Sequence, residues 1–302
     1  MTSTTGVLVM SYGTPASRDE IAPYYTKIRH GRPPSDEQLA DLVRRYDAIG
    51  GLSPLNERTA DQVAGIAATL ERRAPGRYVV APGTKYATPT IEDGANGLAS
   101  LGVDSVVGLV LAPLSAPMST GQYHERAAAA VSGLVPYRPL WSWWDAAGFA
   151  ELLAARVRAE MASGGAGTLV LFTAHSLPAR VVQEGADYPD QLAAAAARVA
   201  ELAGIERYLV CWQSAGRTQE EWLGPDILEV ISAVDPSSTQ DVVVCPVGFV
   251  ADHLEVLFDV DVEARVLGEQ RGIAVRRTRS LNASQDFLEV LADLVIGAPD
   301  AT

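Results

Sequence analysis

Short apolar runs closed by turn-forming residues alternate along this chain with longer amphipathic stretches. Runs that are apolar on both faces belong to strands covered by helices, and their alternation with helical segments predicts parallel sheets built from crossover units. Four such runs fall in the first half, at Val7 to Met10, Tyr78 to Ala81, Ser105 to Leu111 and Leu134 to Pro139. Four more fall in the second half, at Thr168 to Thr173, Tyr208 to Trp212, Val242 to Pro246 and Ile273 to Arg277. The expected fold class is α/β, with two domains over residues 1–139 and 140–279, each a four-stranded parallel sheet flanked by helices. The amphipathic stretch Gln285 to Val295, in a C-terminal helix of about residues 280–302, is expected to pack back on the first domain.

The strands run into polar loops: Ser11-Tyr12-Gly13-Thr14-Pro15, Pro82-Gly83-Thr84-Lys85-Tyr86, Ala174-His175-Ser176-Leu177-Pro178 and Gly248-Phe249-Val250-Ala251-Asp252-His253 among them. Open α/β sheets bind ligands at the carboxyl ends of their strands, so these loops are the candidate site. Between the first two strands lies a long insert, residues 15–73, charged and proline-rich early and helical later. Leu39, Leu42, Val43 and Tyr46 mark an amphipathic helix that stops before Gly50-Gly51. Arg29, His30 and Arg32 at its entrance predict a flexible cationic lip suited to an anionic ligand.

Composition narrows the partners. A formal charge of −13 and a pI near 4.8 argue against nucleic acid, which needs a cationic footprint. No apolar run approaches the roughly 18 residues of a membrane span, and the N-terminus lacks the basic and apolar regions of a signal peptide, so the expectation is a cytoplasmic protein without membrane insertion. Cys211 and Cys245 sit in apolar strand-like runs and are expected to be reduced and buried; two cysteines cannot supply the four thiolates of an iron–sulfur cluster. Dinucleotide, phosphate-loop, zinc-protease and nucleophile-elbow motifs are missing from the sequence, which weakens dehydrogenase, NTPase and hydrolase readings.

The most informative segment runs from Asp252 to Glu263. On an α-helix Asp252, Glu255, Asp259 and Glu263 follow i, i+3, i+7, i+11 and fan over roughly 80° of one face, with Leu254, Leu257 and Phe258 opposite. Such a row is either a solvated face or a track for cations and protons. On the same wheel His253 points away from Glu255 and reads as structural or capping. His175 closes a buried strand, where a neutral imidazole is able to bind a metal or accept a proton, although a hydrogen-bonded structural histidine has the same sequence context. His30 and His124 read as surface or rim residues.

Taken together, these segments resemble the ferrochelatase family, and within it the short branch that uses coproporphyrin. The resemblance rests on Ser11 to Pro15, Pro23 to Arg32, Arg45 to Leu55, Thr173 to Pro178, Gln213 to Arg217 and Gly248 to Leu257. It implies two Rossmann-like domains around a porphyrin cleft. It implies that His175 and Glu255 face the macrocycle as the catalytic pair, with His175 as proton acceptor, and that Asp259 and Glu263 extend from them as metal or proton ligands. Arg29, Arg45, Ser53 and Tyr123 match positions that hold propionates, and Tyr12 matches a tyrosine near the metal.

The polar insert starting Pro15-Ala16-Ser17-Arg18 favours coproporphyrin III over protoporphyrin IX. The implied reaction inserts Fe²⁺ to give coproheme on the path to haem, with no organic cofactor and no iron–sulfur cluster, in a monomer that passes its product to a coproheme-accepting enzyme. Two departures stand out. Relatives often read Lys-His where this chain has Lys85-Tyr86, and often have Arg at the His30 position. The first touches metal preference, so insertion of Zn²⁺, Co²⁺ or Ni²⁺ is the rival within enzymes; a non-catalytic porphyrin-binding protein is the rival outside them.

Overall fold

Among the described residues eight parallel strands fall into two sheets, and the chain divides after Trp143 into two units, the first of which takes up the chain again from Leu281 while the second spans Trp144–Ser280. The computed structural model describes residues 3–165, 167–216 and 218–298; Arg217, one of the motif residues above, lies outside the described residues.

In the first unit the elements run β1 (Thr5–Ser11), α1 (Ile21–Ile28), α2 (Asp36–Ala48), α3 (Leu55–Arg73), β2 (Tyr78–Thr84), α4 (Ile91–Ser100), β3 (Ser105–Val110), α5 (Gln122–Ala130) and β4 (Tyr137–Leu140). The sheet order is β2-β1-β3-β4. Val7, Leu8, Val9 and Met10 of the central β1 are fully buried, which explains an unbroken apolar run where a half-exposed strand would alternate. β4 begins three residues later than the apolar run suggests. Leu134 and Val135 still donate their N–H groups to the Val131 carbonyl, so they close the preceding helix before the strand can start.

The insert is more helical than its proline content suggests. A 3₁₀ turn at Arg18–Glu20 runs straight into α1, and Pro23 lies in the first turn of that helix, where a missing N–H removes no intrahelical bond. The expected flexible lip is thus a helix up to Ile28. α2 is opened by Ser35 and Gln38 in a reciprocal capping box, and it ends before Gly50-Gly51 as the pattern predicts. The C-terminal helix Gln285–Ile296 lies on α3, where Arg73 Nη2 is 2.7 Å from Asp293 Oδ1 and Arg72 pairs with Glu289.

In the second unit follow α6 (Phe149–Met161), β5 (Leu169–His175), α7 (Arg180–Gln183), α8 (Tyr188–Ala203), β6 (Tyr208–Gln213), α9 (Ile227–Ala233), β7 (Asp241–Pro246), a π-helix (Val256–Ala264), α10 (Arg265–Arg271) and β8 (Ala274–Arg277). The order β6-β5-β7-β8 repeats that of the first unit. Cys211 and Cys245 are free and fully buried, and burial pushes both thiols up to about 12. Among the described residues no helix is long and apolar enough to cross a membrane.

The acidic segment departs from the α-helical wheel. Asp252 and His253 precede the helix, Leu254 and Glu255 begin it, and residues 256–264 wind as a π-helix with i→i+5 bonding. Asp252 therefore falls outside the row, while Glu255, Asp259 and Glu263 follow one another at four-residue steps along the helix. Asp252 turns instead to Arg277 and Ser280, while Asp259 is buried at 6% exposure.

Candidate active site

In a sheet ordered β6-β5-β7-β8 the chain leaves β5 toward one edge and β7 toward the other, so the carboxyl ends of β5 and β7 flank the topological switch point. His175 is the last residue of β5, and Glu255 stands at the start of the helix that follows β7. Gly248 makes their approach possible. Its N–H donates to the Thr173 carbonyl at 3.1 Å, and a Cβ there would stand 2.6 Å from Ala174 Cβ, so only glycine lets the exit of β7 lie across the end of β5.

The result is an imidazole against a carboxylate: His175 Nε2 lies 3.6 Å from Glu255 Oε1. The other ring nitrogen donates to the Ser176 carbonyl, which orients the ring, and the Tyr188 hydroxyl donates to the His175 carbonyl at 3.0 Å. Glu255 is flanked on its other oxygen as well. His253 Nε2 is 3.5 Å from Oε2, and His253 Nδ1–H donates to the Ala251 carbonyl at 2.9 Å. The expectation that His253 faces away from Glu255 fails because both it and Asp252 lie ahead of the helix, so helical angles do not apply.

Burial by itself would discharge both members of the pair. For His175 that effect is outweighed by the Glu255 charge and hydrogen bond, with the Ser176 carbonyl and the Asp259 charge adding to them, and its pKa rises to about 9. For Glu255 the opposing burial effect is outweighed by His175 and then His253, which hold it well below the usual carboxylate range. Near neutral pH the resting pair is imidazolium and carboxylate, where the sequence suggested a neutral imidazole. Asp259, one further turn along, accepts a hydrogen bond from Ser214, and Glu263 is half-exposed beyond it. Among the described residues no group of three or more histidine, cysteine, aspartate or glutamate side chains is arranged to hold a metal ion.

The first unit has the same switch point between β1 and β3 and different side chains around it. Tyr12, 39% exposed, follows β1 and packs on Tyr86 with ring centroids 4.8 Å apart. Lys85 Nζ lies 5.5 Å from the Tyr86 ring and 5.0 Å from that of Tyr123, linking Tyr12 to Tyr123 through one contiguous cluster. Arg126 donates to the Lys85 carbonyl at 2.9 Å while its fork grips Glu92. Arg29 stacks over Tyr25 at 5.6 Å, Arg45 pairs with Asp41 at 3.1 Å, and Ser53 is buried where its hydroxyl accepts from the Leu55 N–H. His30 is exposed, but His124 is buried at 2% exposure, its Nδ1 2.7 Å from the Tyr137 hydroxyl; burial lowers its pKa to about 4, so it is no rim residue.

The ferrochelatase family model matches residues 4–298. The chain belongs to the ferrochelatase family. A coproporphyrin III ferrochelatase from Geobacillus kaustophilus is 40% identical over 301 residues, covering 97% of this chain and 95% of the relative. One of the same name from Halalkalibacterium halodurans is 40% identical over 296 residues, covering 96% of each. Among solved structures, SirB from Bacillus subtilis with Fe³⁺ aligns over 98% of this chain and 95% of its own at 12% identity, with a TM-score of 0.63. CbiX, described as the terminal enzyme of sirohaem biosynthesis in denitrifying bacteria, aligns over 98% and 100% at 14% identity, with a TM-score of 0.56. At such identities these two show the fold alone.

Several residues of this ferrochelatase that shape the site escape sequence reading. Ser214, held at a φ of 62°, aims its hydroxyl at Asp259; it lies in a quoted motif, but a positive φ at a serine has no sequence signal. Tyr188 opens α8 and reaches back to β5. Tyr24, which donates to the Gly13 carbonyl at 2.9 Å, fixes the turn after Tyr12.

Proposed function

We propose that this ferrochelatase inserts Fe²⁺ into coproporphyrin III to give coproheme, with His175 and Glu255 as the residues that work on the pyrrole protons and the entering metal. The observation that carries the reading is the 3.6 Å approach of the two side chains at the switch point of the second unit. The names of relatives at 40% identity supply the porphyrin.

The overall exchange is one dication in and two pyrrole protons out. A site for it must hold a cation briefly and take up protons nearby. The resting pair already holds one proton, on His175. As a dication draws on the Glu255 carboxylate, that carboxylate no longer stabilises the imidazolium, and the His175 proton is released to solvent; the free imidazole then takes up one pyrrole proton, passes it to solvent and takes up the second. Asp259 and Glu263, following Glu255 at later turns, extend oxygen ligands for protons or a hydrated cation.

In the first unit Arg29, Arg45, Ser53 and Tyr123 serve the propionates, guanidinium forks being natural partners of carboxylates, and Tyr12 meets the macrocycle. The enzyme uses no organic cofactor and no iron–sulfur cluster, and it works as a cytoplasmic monomer that passes coproheme to an accepting enzyme. An anaerobic optical assay tests the core of this reading. With coproporphyrin III and Fe²⁺ the free-base spectrum converts to that of coproheme, faster than with protoporphyrin IX or with Zn²⁺. Conversion of protoporphyrin IX alone, or of Zn²⁺ alone, overturns the substrate or the metal respectively; porphyrin binding with no insertion of any metal leaves a carrier.

A further inference from the structure

Two consecutive arginines on β8 do different work. Arg276 pairs with Asp241 at 2.5 Å and with Glu160 at 3.4 Å, tying the last strand to β7 and to the end of α6. Arg277 turns to the opposite face, as alternation along a strand requires, and there it meets the segment that carries Glu255. Its Nε donates to Asp261 Oδ1 at 3.0 Å and its Nη2 to Asp261 Oδ2 at 2.8 Å, a planar two-point grip. Nη2 also lies 3.3 Å from Asp252 Oδ1, and Nη1 donates to the Ser280 hydroxyl at 2.9 Å. Ser280 in turn donates to Asp252 Oδ1 at 2.7 Å, closing the ring.

Asp252 stands just before Glu255 and Asp261 beyond it in the π-helix, so one guanidinium, with its side chain only 12% exposed, spans both ends of the stretch holding His253, Glu255 and Asp259. We propose that Arg277 is a positioning residue that sets where Glu255 stands against His175, by clamping the chain on either side of it. It touches neither member of the pair. A lysine supplies one charge and no fork, so it would neutralise the two aspartates without fixing both ends.

The proposal rests on the reading of Glu255 as a residue that works on the metal, and the test separates the two. Arg277→Lys, Arg276→Lys, Asp252→Asn and Glu255→Gln are assayed with coproporphyrin III and Fe²⁺, with porphyrin affinity read separately by fluorescence quenching. The expected result for Arg277→Lys is a kcat lowered roughly 10–100-fold at unchanged porphyrin affinity. Arg276→Lys lowers the melting temperature and leaves kcat within about twofold. Asp252→Asn, which loosens one end of the clamp and threatens the fold least, lowers kcat in the same direction and is less than additive with Arg277→Lys. If Arg277→Lys and Asp252→Asn both turn over like the wild type while Glu255→Gln is inactive, the clamp is overturned and the reading of Glu255 stands. If Glu255→Gln itself turns over normally, both fall together.

Discussion

The two units solve one topological problem twice and put different chemistry on it. Both sheets carry the same strand order, and in both the loops after the first and third strands flank the switch point. In the second unit those loops deliver His175 and Glu255, a pair of opposite charges able to exchange a proton or a cation. In the first, Tyr12 follows β1 and the buried Tyr123 stands at the start of α5, joined through Tyr86 and Lys85 into an aromatic cluster with a cation set in it. The scaffold decides where a ligand is met, and the side chains decide what is done to it.

On the proposed reading, that contrast puts turnover in the second unit and substrate retention in the first. His175→Ala or Glu255→Gln is expected to lower kcat by roughly 10²–10⁴-fold, the range of general acid–base catalysis, with porphyrin affinity little changed. Tyr12→Phe and Lys85→Ala are expected to act mainly on KM for the porphyrin, within about tenfold. Steady-state kinetics with metal and porphyrin varied separately checks both. Equal kcat losses from Tyr12→Phe and His175→Ala would end the division of labour.

The two sites are also expected to respond to pH in opposite senses. His175, raised to about 9, is protonated near neutrality, and a metal reaching the pair must displace that proton. Affinity of the porphyrin-free protein for Zn²⁺ should therefore rise about tenfold per pH unit up to about 9 and then level off. In the first unit burial, followed by the nearby Arg126 charge, lowers Lys85 to about 8. Its charge fades above that pH, so coproporphyrin affinity should fall there. Zinc and porphyrin titrations at pH 6.5, 7.5 and 8.5 read both slopes; parallel trends would refute the contrast.

Legibility in the sequence follows the same boundary between scaffold and site. The strands show plainly because a parallel strand covered on both faces must be apolar throughout, as Val242, Val243 and Val244 are. The resemblance picks out His175 and Glu255, which the structure brings together. What a helical wheel cannot give is where the helix begins: Asp252 and His253 stand ahead of it, so the angles assigned to them do not apply, and from Val256 the winding is that of a π-helix, wider than the wheel assumes. His124 looked like a rim residue because its partners, Tyr137 and Trp141, come from a different element and mark no local pattern. Arg277 reads only as the end of a strand, because Asp252, Asp261 and Ser280 are gathered round it by the fold.

Backbone geometry offers a smaller test of whether each site depends on its own turn. Alanine at Gly248 would bring its Cβ within 3.0 Å of the Ala174 Cα as well as closer to the Cβ, and a β-strand backbone cannot yield cheaply. Gly248→Ala should lose about 1–3 kcal/mol by urea titration and part the His175–Glu255 pair, weakening zinc binding. Gly13 has a φ of 80° and would meet Ala87 Cβ at 2.7 Å. Gly13→Ala should lose a similar stability while zinc affinity stays and porphyrin affinity drops. If the two variants affect the same ligand, the sites are not separately supported.

The smallest expected effect concerns Tyr86, where the family resemblance leads to the expectation of histidine. Tyr86 packs tilted on Tyr12, meets Tyr24 edge-on at 6.5 Å and donates its backbone N–H to the Tyr12 carbonyl at 3.0 Å. Burial raises its phenol pKa against the opposing Arg126 charge, so it stays neutral and is a poor metal ligand near pH 7. Its role is to support Tyr12, which an imidazole ring can largely take over while adding a nitrogen ligand suited to zinc. Tyr86→His is therefore expected to leave kcat for Fe²⁺ within about threefold and to make Zn²⁺ a better competitor by a few fold. Competition assays at fixed coproporphyrin III read this directly. An unchanged Zn²⁺ response would mean that the aromatic surface of the first unit is out of reach of the metal, and would sharpen the contrast with the second unit to one between a porphyrin-holding site and a metal-handling one.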